Sequence, residues 1–290
     1  MKRFALLAVI ASNLQVRAQE NATQRASWNE PVKPFRVAGN VYHVGVAGVT
    51  AFLITTPAGS ILLDGGFLET APLIERNIET LGLRLQDVRL LLNSHAHYDH
   101  CGGLTELKKR SGAKLVASAG DSESFHGRRK LTCLPSRSSR IPSDDSFSPP
   151  DVDRVIGNNE SVELGGVKLT AHLTPGHTRG CTTWTMKTSG DTIYNVLFYC
   201  STTVAGNRLV NNREYPNIVS DYEKTFAKLR SLQCDVFLAP HGSLFHRDEK
   251  IELLEAGRKD AFVNSDDLKA YVDESERAFR EELARQRGNQ

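Results

Sequence analysis

The run His95-Ala96-His97-Tyr98-Asp99-His100 constrains this chain more than any other stretch, because four groups able to bind a metal fall within six residues. His95 and His97 are two apart, so on an extended or turning backbone both can face one point. Asp99 and His100 follow where a helix can begin and can face a second point. Imidazole nitrogen and carboxylate oxygen suit zinc, which takes about four ligands at roughly 2.0 to 2.2 Å. One turn cannot complete two such sites, so further ligands have to come from elsewhere. The best candidates sit in turns directly after strands: His177 in Thr174-Pro175-Gly176-His177-Thr178, and His241 in Ala239-Pro240-His241-Gly242. In each, proline and glycine bend the chain and present the side chain at a strand end. His43 and His172 lie within strand patterns, and His126 and His246 lie in polar stretches without turn signals, so these four are weaker candidates.

The surroundings of the run indicate the fold class. Residues 35 to 65 alternate short β-rich stretches with turns (Val41 to Val46, Thr50 to Thr55, Ile61 to Leu63) and end in Asp64-Gly65-Gly66. Helical spacing of Ala71, Ile74, Ile78 and Leu81 closes at Gly82, and the apolar strand Val88 to Leu92 runs straight into Asn93-Ser94-His95. A short helix from Leu104 to Arg110 and a strand from Lys114 to Ser118 complete a βαβ-type alternation. Strands follow near 161 to 164, 167 to 173, 181 to 187 and 192 to 199. A helix from Asp221 to Leu232 then leads to a strand from Asp235 to Leu238, just before His241. Leu268, Tyr271, Val272, Phe279 and Leu283 have the spacing of a C-terminal helix packed on the surface. Ser136 to Pro150, rich in Ser, Pro and Asp, reads equally as a disordered connection or as a lid over a site.

Composition excludes some partners. The 36 basic and 34 acidic side chains nearly cancel, leaving +2, so no strong field points toward nucleic acid or an anionic membrane surface. A small neutral or anionic substrate fits better, and a monomer is the expected state. Residues 1 to 18 read as a secretory signal, with Lys2 and Arg3 before the apolar run Phe4 to Ile10 and small residues before Gln19; the alternative is an amphipathic start that stays attached. The expectation is a periplasmic or secreted protein whose residues 19 to 290 form one domain. Five cysteines are an odd number for an oxidising compartment, and no two have the Cys-x-x-Cys spacing of a structural zinc site.

At these histidines the sequence resembles the metallo-β-lactamase superfamily, whose pattern is His-x-His-x-Asp-His, a later His after Pro-Gly, and a final His. The resemblance spans most of residues 35 to 245. It implies an α/β fold, the four-layer αβ/βα sandwich, with a two-metal site between the sheet edges. His95, His97 and His177 would hold the first Zn2+, and Asp99, His100 and His241 the second. In most relatives an aspartate bridges the metals from the strand before the last histidine, but residues 192 to 213 contain no Asp or Glu. Cys200-Ser201-Thr202-Thr203 stands there instead, and with Tyr215-Pro216, Asp221-Tyr222 and Cys234-Asp235-Val236 it resembles class B enzymes of subclass B3.

That resemblance implies a β-lactamase that opens the β-lactam ring of penicillins, cephalosporins and carbapenems with a zinc-bound hydroxide, giving antibiotic resistance. Asp99 would orient the hydroxide or a proton-delivering water. Ser201 and Thr203 would hydrogen-bond the substrate carboxylate; as ordinary strand-end hydroxyls they would have no such role. Asp64 is expected either to accept a hydrogen bond from a ligand histidine or to be a plain turn residue. Many subclass B3 enzymes pair the cysteine equivalent to Cys234 with one in the C-terminal helix, but residues 242 to 290 contain none. Cys181 and Cys200 can pair instead, unless a shifted alignment makes Cys200 a ligand. Cys101, next to His100, reads as a small buried side chain rather than a ligand. The competing functions are a lactonase, thioesterase or phosphodiesterase of the same superfamily, and a non-catalytic zinc protein on the same scaffold.

Overall fold

The structure is a computed structural model describing residues 23–126, 149–190 and 192–288. The secretory reading of residues 1 to 18, Cys133 and most of the Ser/Pro-rich segment lie outside the described residues. Among the described residues, no helix is long and apolar enough to cross a membrane.

Strands β1 (Phe35–Ala38), β2 (Val41–His43), β3 (Phe52–Thr56) and β4 (Gly59–Leu63) form an antiparallel meander. After helix α1 (Ala71–Thr80), β5 (Val88–Leu92) pairs parallel to β4. Helices α2 (Tyr98–Cys101) and α3 (Leu104–Ser111) lead to β6 (Lys114–Ser118), and α4 (Ala119–His126) precedes β7 (Arg154–Ile156); both strands extend the sheet in parallel. The pleat sends alternate side chains to opposite faces. Phe52, Ile54, Ile61 and Leu63 thus face the second sheet, while Leu53 and Leu62 pack with Ile74, Ile78 and Leu107 of α1 and α3.

The second sheet takes β8 (Ser161–Leu164), β9 (Val167–Leu173), β10 (Thr182–Lys187) and β11 (Asn195–Phe198) in antiparallel order, and after α5 (Ile218–Arg230) it gains β12 (Val236–Leu238) parallel to β11. Phe198 meets Phe52 across the two sheets with ring centroids 5.4 Å apart. Helices α6 (Arg247–Glu255) and α7 (Asp267–Gly288) complete the described elements. On the outer face, Tyr222 of α5 stacks on Phe279 of α7 at 4.7 Å, and burying one such side chain contributes about 1.5–3 kcal/mol. Helices, sheet, sheet and helices make the four layers that the family resemblance implied.

Local departures have local causes. The strand expected to reach Val46 stops at His43, because residues 44 to 50 loop toward the end of the second sheet. There the Thr50 N–H donates to Pro240 O at 2.9 Å instead of to a ladder partner. His246, read as lacking turn geometry, takes a left-handed conformation (φ 55°) and starts α6.

Candidate metal centre

Three strand ends converge. His95 and His97 follow β5, with His97 at the N-cap of α2, so that Asp99 and His100 ride on the short helix itself. His177 follows β9 and His241 follows β12. Two groups able to hold a metal result, His95–His97–His177 and Asp99–His100–His241, each with its candidate ligand atoms within 4.8 Å of one another. In the first, His97 Nδ1 lies 2.9 Å from His177 Nε2. In the second, Asp99 Oδ2 lies 3.2 Å from His100 Nε2 and 3.5 Å from His241 Nε2. His43 and His172 remain in β2 and β9 and belong to neither group.

A second set of atoms holds three of these rings from behind. Thr203 O accepts from His177 Nδ1 at 2.7 Å, and Gly48 O accepts from His241 Nδ1 at 2.9 Å. Ser94 Oγ donates to Asp64 Oδ2 at 2.7 Å, which leaves its lone pair for His95 Nδ1–H at 2.9 Å. Each contact fixes the tautomer that frees Nε2 for a metal. Asp64 therefore does not accept directly from a ligand histidine: the nearest ring nitrogen, His100 Nδ1, is 3.9 Å away. Its partner is Ser94, through both backbone N–H and hydroxyl. The Asp64-Gly65-Gly66 turn lies against the α2 backbone, where Gly65 N–H donates to His100 O at 2.8 Å. A Cβ at Gly103 would sit 2.3 Å from Gly65 O, so that approach requires glycine.

Burial suppresses charge on most of the rings. It holds His97 down to about 4, and with the neighbouring imidazoles it holds His95, His177 and His241 below the usual histidine value. Neutral imidazole is the form that binds metal. Burial would raise Asp99, but His100, His241 and His97 outweigh it and hold the carboxylate ionised well below its usual range. Burial also opposes a charge on His100, yet Asp99 and Asp64 keep its pKa raised. Neither nitrogen of the fully buried His100 makes a well-aligned hydrogen bond. A ring stranded in this way beside an ionised carboxylate and a third donor fits a bound cation, which supplies the missing partner.

Ser201 and Thr203 lie beside the first group. Ser201 Oγ is 3.2 Å from Thr203 Oγ1, which is 3.1 Å from His177 Nδ1. Cys181 and Cys200 form a disulfide, with Cα atoms 5.8 Å apart, so Cys200 is not a ligand. Cys101 is buried, and Cys234 is buried and free. Sequence reasoning missed Ser94, the Gly48 and Thr203 carbonyls, and Trp28, whose ring lies 4.9 Å from that of His241. Only Ser94, directly before His95, carried a sequence signal.

A family model described as the metallo-beta-lactamase superfamily matches residues 44–241. BJP-1, a subclass B3 metallo-beta-lactamase of Bradyrhizobium japonicum, is 37% identical, with 91% of this chain and 98% of that one covered and a TM-score of 0.81. Native FEZ-1 metallo-beta-lactamase from Legionella gormanii is 38% identical, with 89% and 98% covered and a TM-score of 0.80. A hydroxyacylglutathione hydrolase of a Bradyrhizobium species is 28% identical over 127 residues, which are 44% of this chain and only 39% of that protein.

Proposed function

Because the chain belongs to the metallo-β-lactamase superfamily, we propose that it is a two-zinc β-lactamase of the subclass B3 type, hydrolysing the amide bond of the β-lactam ring in penicillins, cephalosporins and carbapenems. The observation that carries this reading is the extent of similarity: subclass B3 enzymes match nearly end to end, whereas the hydroxyacylglutathione hydrolases match under half of the chain. The stretch 192 to 213, without Asp or Glu, points the same way.

His95, His97 and His177 would hold one ion, and Asp99, His100 and His241 the other. When bound, zinc supplies a nucleophilic water at neutral pH and a Lewis acid for the acyl oxygen. The chain's own groups do the positioning. Asp99, held ionised by its histidine neighbours, would orient the attacking hydroxide or a proton-delivering water. The water oxygen bonds to the acyl carbon, the C–N bond breaks, and the proton ends on the released nitrogen. Ser201 and Thr203 hydroxyls donate to the substrate carboxylate. Ser94, Thr203 O and Gly48 O keep three imidazoles aimed while this happens.

We place the protein outside the cytoplasm, as an exported monomer that confers resistance to β-lactams; the Cys181–Cys200 disulfide is at home in an oxidising compartment. One experiment tests the whole reading. The full chain is expressed in a Gram-negative host, and the periplasmic extract is assayed on a carbapenem and a chromogenic cephalosporin with and without a chelator. Turnover of both, abolished by the chelator and restored by zinc, is expected. No turnover of either, with hydrolysis of a hydroxyacylglutathione thioester, would replace it with the thioesterase reading that the 28% relative favours.

A further inference from the structure

Asp121, in the first turn of α4, has no part in the chemistry above, yet it is fully buried directly behind the first metal-binding group. Its Oδ2 accepts from Asn93 Nδ2 at 2.9 Å. The Ala96 backbone amide donates to it as well, and the Thr178 hydroxyl lies close enough to favour its ionised form without completing a well-aligned hydrogen bond. Ser118 Oγ, which accepts from the Asp121 N–H at 3.3 Å, donates to Gly180 O at 2.6 Å. A Cβ at Gly180 would lie 2.1 Å from Asp121 Oδ1, so this turn closes directly on the carboxylate. Burial pushes the carboxyl up to about 8 despite its donors.

Those contacts have a common geometry. Asn93 and Ala96 flank His95, and Ala96 also precedes His97; Thr178 follows His177, and Gly180 ends the same turn. One carboxyl group therefore hydrogen-bonds the turn after β5 and packs closely against the turn after β9, where its Oδ1 has no hydrogen-bond partner, and these two turns deliver the three imidazoles. We propose that Asp121 is a positioning residue for the group His95–His97–His177, clamping its two turns so that the three rings meet at one point. The inference rests on the metal-binding reading of this site but not on the identity of the substrate. Groups that orient ligands from behind are worth about 10- to 100-fold in metal affinity.

The test reads metal affinity without substrate. Full-length parent, Asp121→Ala and Asp121→Asn are titrated with zinc against a chromophoric chelator, with far-UV circular dichroism as the check on folding. The parent should bind two ions. Asp121→Ala should weaken one binding event about 10- to 100-fold and spare the other, and the isosteric Asp121→Asn should fall between. Two backgrounds assign the event: Asp121→Ala should weaken the remaining event in His241→Ala and add nothing in His177→Ala. Equal weakening of both events, or parental affinity in a folded variant, overturns the proposal. If Asp121→Ala does not fold, Asp121→Asn and Asn93→Ser decide by the same criterion, and failure of all three to fold makes Asp121 a folding element instead. A parent that binds no zinc removes the metal-centre reading and the proposal with it, whereas absent β-lactam turnover leaves both standing.

Discussion

His43 shows how little a residue type says without its neighbours. It is fully buried, stacked on Phe35 with ring centroids 4.9 Å apart, and neither ring nitrogen has a hydrogen-bond partner. Burial, with help from Arg247, holds its pKa down to about 3. In the unfolded chain the ring protonates below its ordinary value near 6.5, while the folded chain keeps it neutral until about 3. Its contribution to stability is therefore complete above roughly pH 6.5 and is lost by about 1.4 kcal/mol per unit as pH falls toward the folded value. His43→Phe should lack that part of the acid limb: between pH 7 and 5, urea unfolding of the metal-free parent should lose about 2 kcal/mol more than the variant. Parallel losses would show that the ring is protonated in the fold. The His95 to His100 run was legible because its chemistry is local. The support of His95 was not, since Ser94 stands between that ring and Asp64, thirty residues away.

At the level of elements, the strands around the centre were legible because both faces are apolar or alternate cleanly, and β5, β6, β8 and β9 have the bounds their patterns suggested. Helix α6 was not anticipated. Its fully buried positions are Arg247 and Lys250, which are satisfied by Val46 O at 3.0 Å and by Asp267, while its apolar Ile251 and Leu254 are only partly buried against the core. Periodicity of hydrophobic residues is weak where charged side chains share the inward face. The pairing of Cys181 and Cys200, left open by the sequence, joins the strands β10 and β11 at the end nearest the metal groups. At a sequence separation of 19, the bond should be worth about 3 kcal/mol through restriction of the unfolded chain. Guanidinium unfolding of Cys181→Ala/Cys200→Ala against the oxidised parent measures this, and an unchanged midpoint would remove the bridge from the stability of the sheet.

Over the whole molecule, the two halves meet where it matters. His95, His97, Asp99 and His100 come from the first sheet, and His177 and His241 from the second. An ion bound to either group thus ties one sheet to the other and binds only the folded chain. At free zinc 100 times Kd, that linkage adds about 2.7 kcal/mol, which for a chain of this size raises the unfolding midpoint by roughly 5–10 °C. Calorimetry with zinc and with a chelator should show this difference, and equal midpoints would mean that the groups do not bind metal in the fold. The sequence by itself determined the superfamily, the six side chains in question and the strand ends that carry them, because those depend on residue type and short-range pattern. Only the tertiary structure decided which backs hold those side chains in place: Ser94 before Asp64, the Gly48 and Thr203 carbonyls, the Cys181–Cys200 bond and Asp121 beneath two turns. Each of those contacts joins segments far apart in the chain, and proximity of that kind is a property of packing that no local pattern of residues encodes.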